Sequence, residues 1–472
     1  MLRTKIICTL GPATSEPDDI AAVVACGMDV ARLNMAHGEE DDRARMVESV
    51  RAAARLERRP VALLADLGGP KIRVGRLPKP VPVSLGDEIV MAYERRATGE
   101  VIPTTYERIA EDVRPGIRVA IDDGLIELEC TGVGADGVRF DVLRNGLIRS
   151  GQGINIPSGV VSGSSLTEKD LVDLDSALAL GVEYVGLSFV RSAADVAELK
   201  RRVGARALVV AKIEMARAVG AIDEILDVAD MVMIARGDLG VELPFEEVPL
   251  AQKQIIQKAN LHATPVITAT QMLESMIHHP RPTRAEASDV ANAVLDGTDC
   301  VMLSGETAIG RHPRLAVEAA WRIIAEIEKS GVLASGPRYL ADVTPADRKG
   351  ASPTEQAIAC GVVDAARQIN APAVLVLTTS GFSARLVASH RPPVPIFAVT
   401  TDPQTYSQLA AVWGIWPVLA GRERISYEVL SDLGKREILD SGFGARGDSI
   451  VVTAGVPFHE PGTTNTLRVE RL

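Results

Sequence analysis

The chain has 472 residues, too many for one hydrophobic core and enough for about three domains. A net charge of −11 argues against non-specific binding to nucleic acid or to anionic membranes, while leaving room for a local basic pocket that takes phosphates. No apolar run reaches the ~18 residues that a membrane helix needs, and five cysteines with no close pair read as reduced thiols.

Aromatics make up only 3% of the residues, so the core is built from Ala, Val, Leu and Ile, a composition that suits parallel strands buried on both faces. The first such run, TKIICTL, begins at Thr4 with no signal-peptide pattern ahead of it, which gives the expectation of a cytoplasmic protein. VARLNMA follows from Val30 and VALLADL from Val61. After a gap come YVGLSFV from Tyr184, ALVVAKIE from Ala207, MVMIARGD from Met231, TPVITATQ from Thr264 and DCVMLSGE from Asp299. Eight aliphatic strands alternating with helical segments predict a (β/α)8 barrel. A doubly wound open sheet competes, but eight units without a G-x-G-x-x-G turn disfavour it.

The gap after the third strand is about 115 residues, too long to remain structureless within a folded unit. Its runs VPVSLGDEIVMA, RVAIDDGLIELEC and VRFDVLRNG are strand-like and punctuated by Gly, Asp and Asn. They predict a small β-domain over residues 71–156, inserted at the catalytic face of a barrel formed by residues 1–70 and 157–340, where a lid belongs. The Pro/Gly/Asp-rich stretch GPRYLADVTPADRKGASP reads as a linker, and AVLVLTT, PIFAVTT, WPVLA and SIVVTAG predict a C-terminal α/β domain over 350–472.

In a barrel, polar groups at the C-terminal ends of strands are the ones expected to do chemistry. Those ends carry Arg32 and Asn34, Asp66, Ser188 and Phe189, Lys212 and Glu214, Arg236-Gly237-Asp238, Thr270, and Ser304-Gly305-Glu306. Any one could be a turn residue, but convergence from seven ends of eight is harder to set aside. Glu214 and Asp238 offer hard oxygen ligands without His or Cys, which suits Mg2+ rather than zinc. Lys212 stands two residues before Glu214, so on a strand both side chains point the same way. With Arg32 they form a site for developing negative charge, the arrangement that phosphoryl transfer exploits. A buried Lys–Glu pair at the barrel mouth is the purely structural alternative.

TKIICTLGPAT, VARLNMAHG, DLGGPKIR, SLTEKD, SFVRSAADV, KIE, ARGDLGVELPFEEVPLAQKQII, ATQMLESMI, PRPTRAEASDVANAVLDGTDCVMLSGETA and TTSGFSARLV, in this order and essentially end to end, resemble the pyruvate kinase family. The resemblance implies transfer of the phosphoryl group of phosphoenolpyruvate to ADP, followed by protonation of the enolate to pyruvate. It implies Glu214 and Asp238 as ligands of Mg2+ (or Mn2+), Lys212 as the group that stabilises the phosphoryl in flight, and Arg32 as its grip. Backbone at Gly237 and Asp238 would hold the substrate carboxylate. Thr270 would stand beside the methylene carbon and orient a proton-delivering water. Asn34, His37 and Arg73 match nucleotide contacts. The family usually forms homotetramers, and Thr378, Thr379, Ser380 and Ser383, with GVPFHEPGTTNT, match its effector pocket for AMP or a sugar phosphate.

Several departures stand out. The K+ ligands common in the family are reduced to Asn34 and Asp66, because Ala36 and Leu67 replace hydroxyl residues, and Lys71 stands where Glu is typical. Lys71 is therefore expected to replace the monovalent cation beside Asp66, so that K+ is not required. Gln152 occupies a position where a nucleotide-binding lysine is usual, and Met215 one where Asn is common. Phe382 replaces a residue that is often polar or basic. Two rival readings stay open at this stage, a Mg2+-dependent lyase or aldolase that makes a pyruvate enolate and a catalytically silent effector-binding relative.

Overall fold

A computed structural model describes residues 2–122, 124–156, 164–333, 336–421, 426–456 and 464–472. Its centre is a closed parallel barrel of eight strands: β1 Lys5–Leu10, β2 Val30–Asn34, β3 Ala62–Asp66, β4 Tyr184–Leu187, β5 Leu208–Ile213, β6 Met231–Ala235, β7 Val266–Ala269 and β8 Cys300–Leu303. These are the eight aliphatic runs of the sequence. Each strand pairs with its neighbours in chain order and β1 closes the ring on β8, with Lys5 opposite Cys300. Strands β3, β6, β7 and β8 are buried at every residue, which is why their sequences run apolar without alternation.

The barrel buries two layers. Outward-facing residues such as Ile6, Leu33, Leu63, Val209 and Ile234 pack under the surrounding helices. Inward-facing ones, among them Ile7, Leu64, Tyr184, Val210, Met233 and Met302, fill the interior. That inner cluster also contains Ala410 and Ala411, which belong to the C-terminal sheet unit and seal the barrel floor. Polar contacts fasten the seal: Lys5 Nζ donates to Ile415 O at 2.9 Å, and the Tyr184 hydroxyl to Gln408 O at 2.7 Å. Arg391, wholly buried, reaches Asp299 just ahead of β8 at 3.0 and 2.9 Å and lies 4.8 Å from the Trp413 ring centre.

After β3 the chain leaves the barrel through Gly68-Gly69-Pro70. Gly69 has φ +65°, and a Cβ there would stand 2.7 Å from the Phe189 ring, so no side chain fits this exit. The excursion forms a six-stranded sheet in the spatial order 154–155, 118–121, 126–134, 137–142, 88–93, 102–104, beside a two-stranded pair. Its own core is built on Val119, Ile121, Leu128 and Phe140. The C-terminal unit is a five-stranded sheet, four strands parallel and Thr464–Arg471 antiparallel at the edge. The linker is not bare: it holds two short 3-10 turns, and its Tyr339 hydroxyl meets Asn260 Nδ2 of the barrel at 2.5 Å. All five cysteines are unpaired; Cys8, Cys130 and Cys300 are buried, whereas Cys360 is exposed. Among the described residues no helix is long and apolar enough to cross a membrane.

Candidate active site

Lys212, near the end of β5, is the centre of the barrel mouth. Its Nζ lies 2.8 Å from Glu214 Oε1, 3.2 Å from Asp66 Oδ1 and 2.7 Å from Ser188 Oγ. The strand spacing thus brings Lys212 and Glu214 to the same face. Burial alone would lower the lysine pKa, but Asp66 and Glu214 outweigh it and raise the ammonium well above its usual range. Asp66, fully buried, is held from its other side by Arg32: Nε at 2.7 Å and Nη2 at 2.6 Å from Oδ2. Burial works against the Asp66 carboxylate, yet the Lys212 and Arg32 charges win and hold it below the ordinary carboxylate value. Two permanent cations therefore face the barrel axis, fixed by one carboxylate beneath them. Arg32 also donates to Thr9 Oγ1 at 3.0 Å, which sets the plane of its guanidinium.

Glu214 is oriented at both oxygens, since Oε2 accepts the Phe189 N–H at 2.7 Å. Phe189 has φ +55°, a conformation that an aromatic residue adopts only under constraint, and here it aims the N–H at the carboxylate. Burial raises the Glu214 pKa more than Lys212 lowers it, and the Asp238 charge adds to the rise. Asp238 lies in the short helix Arg236–Glu242 that follows β6, and lines one small cleft with Glu214, Met215, Phe189 and the lid residues Lys71 and Asn155. The described residues contain no group of three or more His, Cys, Asp and Glu placed for a metal. Two hard carboxylates in a cleft fit Mg2+, which takes most of its ligands from water and substrate phosphate.

At the end of β7, Thr270 and Gln271 have φ +65° and +53°, consecutive left-handed positions without glycine. The Thr270 hydroxyl donates to Ala269 O at 2.7 Å and accepts the Gly237 N–H at 2.8 Å. Gly237 and Thr270, predicted from separate strand ends, are thus in direct contact. Glu306 braces the same loop from β8, accepting Leu273 N–H at 2.9 Å and Ser304 N–H at 2.7 Å.

Several expected positions differ. Lys71 is exposed and makes no ion pair with Asp66, whose carboxylate pairs instead with Arg32 and Lys212. Arg73 does not line a cavity with Asn34 and His37. Its Nη1 donates to Gly151 O of the lid at 2.8 Å, whereas Asn34 and His37 line a cavity of about 810 Å³ on the barrel rim. Gln152 is drawn into the lid, donating to Asp122 Oδ2 at 2.8 Å. In the C-terminal loop, Thr378 Oγ1 accepts Gly381 N–H at 3.0 Å and Ser383 Oγ meets Thr464 Oγ1 at 2.5 Å; Thr379 and Ser380 are exposed. Most of GVPFHEPGTTNT, residues 457–463, lies outside the described residues.

Sequence reading missed Arg43. It is buried on the helix Glu40–Leu56, lines the same cavity, and grips His37 O and Gly38 O at 3.0 and 2.8 Å. A cation within the first turns of a helix that begins just past His37 was the signal available.

A parallel barrel whose mouth presents two fixed cations over a carboxylate, beside two metal-competent carboxylates, has the equipment of a phosphotransferase. The family model for the pyruvate kinase barrel domain matches residues 1–317, and that for the pyruvate kinase alpha/beta domain matches residues 356–470. Pyruvate kinases from Mycobacterium intracellulare (43% identical, 100% of this chain and 98% of the relative) and Corynebacterium efficiens (42%, 100% and 98%) align end to end. The pyruvate kinase of Geobacillus stearothermophilus is 40% identical over 99% of this chain and 80% of its own length. The chain belongs to the pyruvate kinase family.

Proposed function

We propose that the chain transfers the phosphoryl group of phosphoenolpyruvate to ADP and protonates the resulting enolate to pyruvate. The observation that carries this is the Lys212 ammonium, held charged between Glu214 and Asp66 with Arg32 beside it. Arg32 grips the phosphoryl oxygens and Lys212 follows their charge during transfer, both pre-oriented by Asp66 so that little reorganisation accompanies the reaction. Glu214 and Asp238 would hold Mg2+, which neutralises phosphoryl charge when bound. Gly237 N–H, resting on Thr270 in this structure, is free to turn to a substrate carboxylate once Thr270 exchanges that contact for water. Thr270 then orients the water that delivers a proton. The rim cavity with Asn34, His37 and Arg43 takes the nucleotide. A lyase or aldolase is less well supported, since it explains neither the inserted domain nor the ATQMLESM segment.

K+ independence follows from lost ligands rather than from a Lys71–Asp66 contact. Ala36 and Leu67 carry no side-chain oxygen, and the Leu67 carbonyl accepts Ser188 Oγ–H at 2.8 Å. Lys71 instead stands in the lid cleft with Glu214 and Asp238, where its charge serves the bound substrates. The test is pyruvate formation from phosphoenolpyruvate with ADP and Mg2+, in buffers containing K+ or a large organic cation. Equal rates are expected; several-fold activation by K+ sinks this part, and no pyruvate in either buffer sinks the reading as a whole. Lys71→Glu should not create K+ dependence, because no ligand is restored.

The remaining elements of the proposal are a barrel of 1–70 and 157–340 with a lid of 71–156, an α/β unit of 350–472, a cytoplasmic location and a homotetramer. Exposed Phe245 and Leu250, around the start of the helix Val248–Leu261, give association an apolar surface. A phosphorylated effector would use Thr379 and Ser380 directly, and Thr378 and Ser383 after their present contacts open.

A further inference from the structure

Thr270 is held in a conformation its own chemistry disfavours. A β-branched residue at φ +65° is strained, and Gln271 repeats the strain at φ +53°. Such a turn persists only if its surroundings over-determine it. The atoms that do so come largely from one side chain: Arg236 Nη2 donates to Thr270 O at 2.7 Å, and Arg236 Nε to Ala269 O at 3.2 Å. The two carbonyls bracket Thr270. The guanidinium is in turn fixed by Asp289, whose Oδ1 lies 2.8 Å from Nη1 and Oδ2 2.7 Å from Nη2, and by Gln252 Oε1 at 3.2 Å. Ala269 O is also the acceptor of the Thr270 hydroxyl, so the carbonyl that Arg236 orients is the one that sets where the hydroxyl points.

We propose that Arg236, seated by Asp289, is a positioning residue for enolate protonation: it locks the left-handed turn that presents the Thr270 hydroxyl to the reacting carbon. It acts through Thr270, and its side chain is not among those lining the cleft of Glu214 and Asp238. A planar fork that spans two adjacent carbonyls and a bidentate carboxylate cannot be replaced by an ammonium, so Lys at this position is not conservative. The proposal rests on the proton-delivery role given to Thr270 above.

The test is a double-mutant cycle read by exchange of the pyruvate methyl protons with solvent deuterium, in the presence of Mg2+ and ATP, followed by NMR. Arg236→Lys is expected to slow exchange and kcat by at least tenfold, with KM for phosphoenolpyruvate within twofold of the parent. Thr270→Val should slow exchange comparably, and the double variant should be no slower than Thr270→Val alone. Losses that multiply in the double variant overturn the proposal, as does a loss that appears in KM rather than kcat. If Arg236→Lys does not fold, Asp289→Asn takes its place with the same expectations. A crystal structure of the variant in which Thr270 keeps its positive φ also overturns the brace, whatever the activity. If Arg236→Lys slows exchange but Thr270→Val does not, the role given to Thr270 falls, and the brace proposal with it.

Discussion

Lys212 shows how one side chain combines folding and chemistry. It is placed by strand spacing, kept charged by two carboxylates, and oriented by Ser188. Replacing it by Met keeps the stem and removes the charge that, in the proposed reaction, meets the transferring group. Lys212→Met is therefore expected to lower kcat by roughly 10²–10³-fold, the loss typical of one preorganised donor, in a steady-state assay where KM for phosphoenolpyruvate moves far less. The pair Lys212 and Glu214 was legible in the sequence because a period of two fixes which residues share a face. The expected Lys71–Asp66 contact, which this structure does not contain, was hard to read for the opposite reason. Lys71 follows Gly68-Gly69-Pro70, and sequence distance across a left-handed glycine says nothing about direction. The competing partners of Asp66, Arg32 and Lys212, come from other strands and meet it only in the closed ring.

Elements were legible where burial dictates composition. All eight barrel strands stood out as aliphatic runs, and the lid strands as shorter runs between Gly, Asp and Asn. What the sequence could not show is how loops are held, since the Arg236 brace and the Glu306 brace end on backbone atoms that carry no sequence signal. The helix Phe382–Ser389 gives a further case. It ends on His390, where a charged imidazolium would ordinarily favour the helix C-terminus. Burial instead pulls the His390 pKa down to about 3, and the charges of Arg348 and Arg367 add to the drop. In the unfolded chain this group titrates near the ordinary value of about 6.5. Between those values the unfolded state binds a proton that the native state does not, so stability is full above about pH 6.5 and declines as pH falls toward 3. The slope from this one group reaches up to about 1.4 kcal/mol per pH unit. His390→Gln should make the melting temperature less sensitive to pH between 7 and 5, measured by calorimetry; an unchanged pH profile would contradict the assignment.

At the scale of the whole molecule, the cleft between the barrel and the inserted domain and the cavity on the barrel rim are separate openings on one barrel mouth. The floor of the barrel has a different significance. Ala410 and Ala411 complete its interior, Lys5 and Tyr184 spend their polar ends on the C-terminal unit, and Arg391 closes on Asp299. Removing everything after residue 340 should leave Lys5, Tyr184 and Asp299 without these partners and the apolar interior open from below. Such a truncation is expected to be recovered as aggregate by size-exclusion chromatography rather than as an active monomer. The interior of the barrel is thus completed by residues of the C-terminal unit rather than by its own chain segment alone. Anyone grafting a different regulatory unit onto this barrel would have to transplant the stopper along with it.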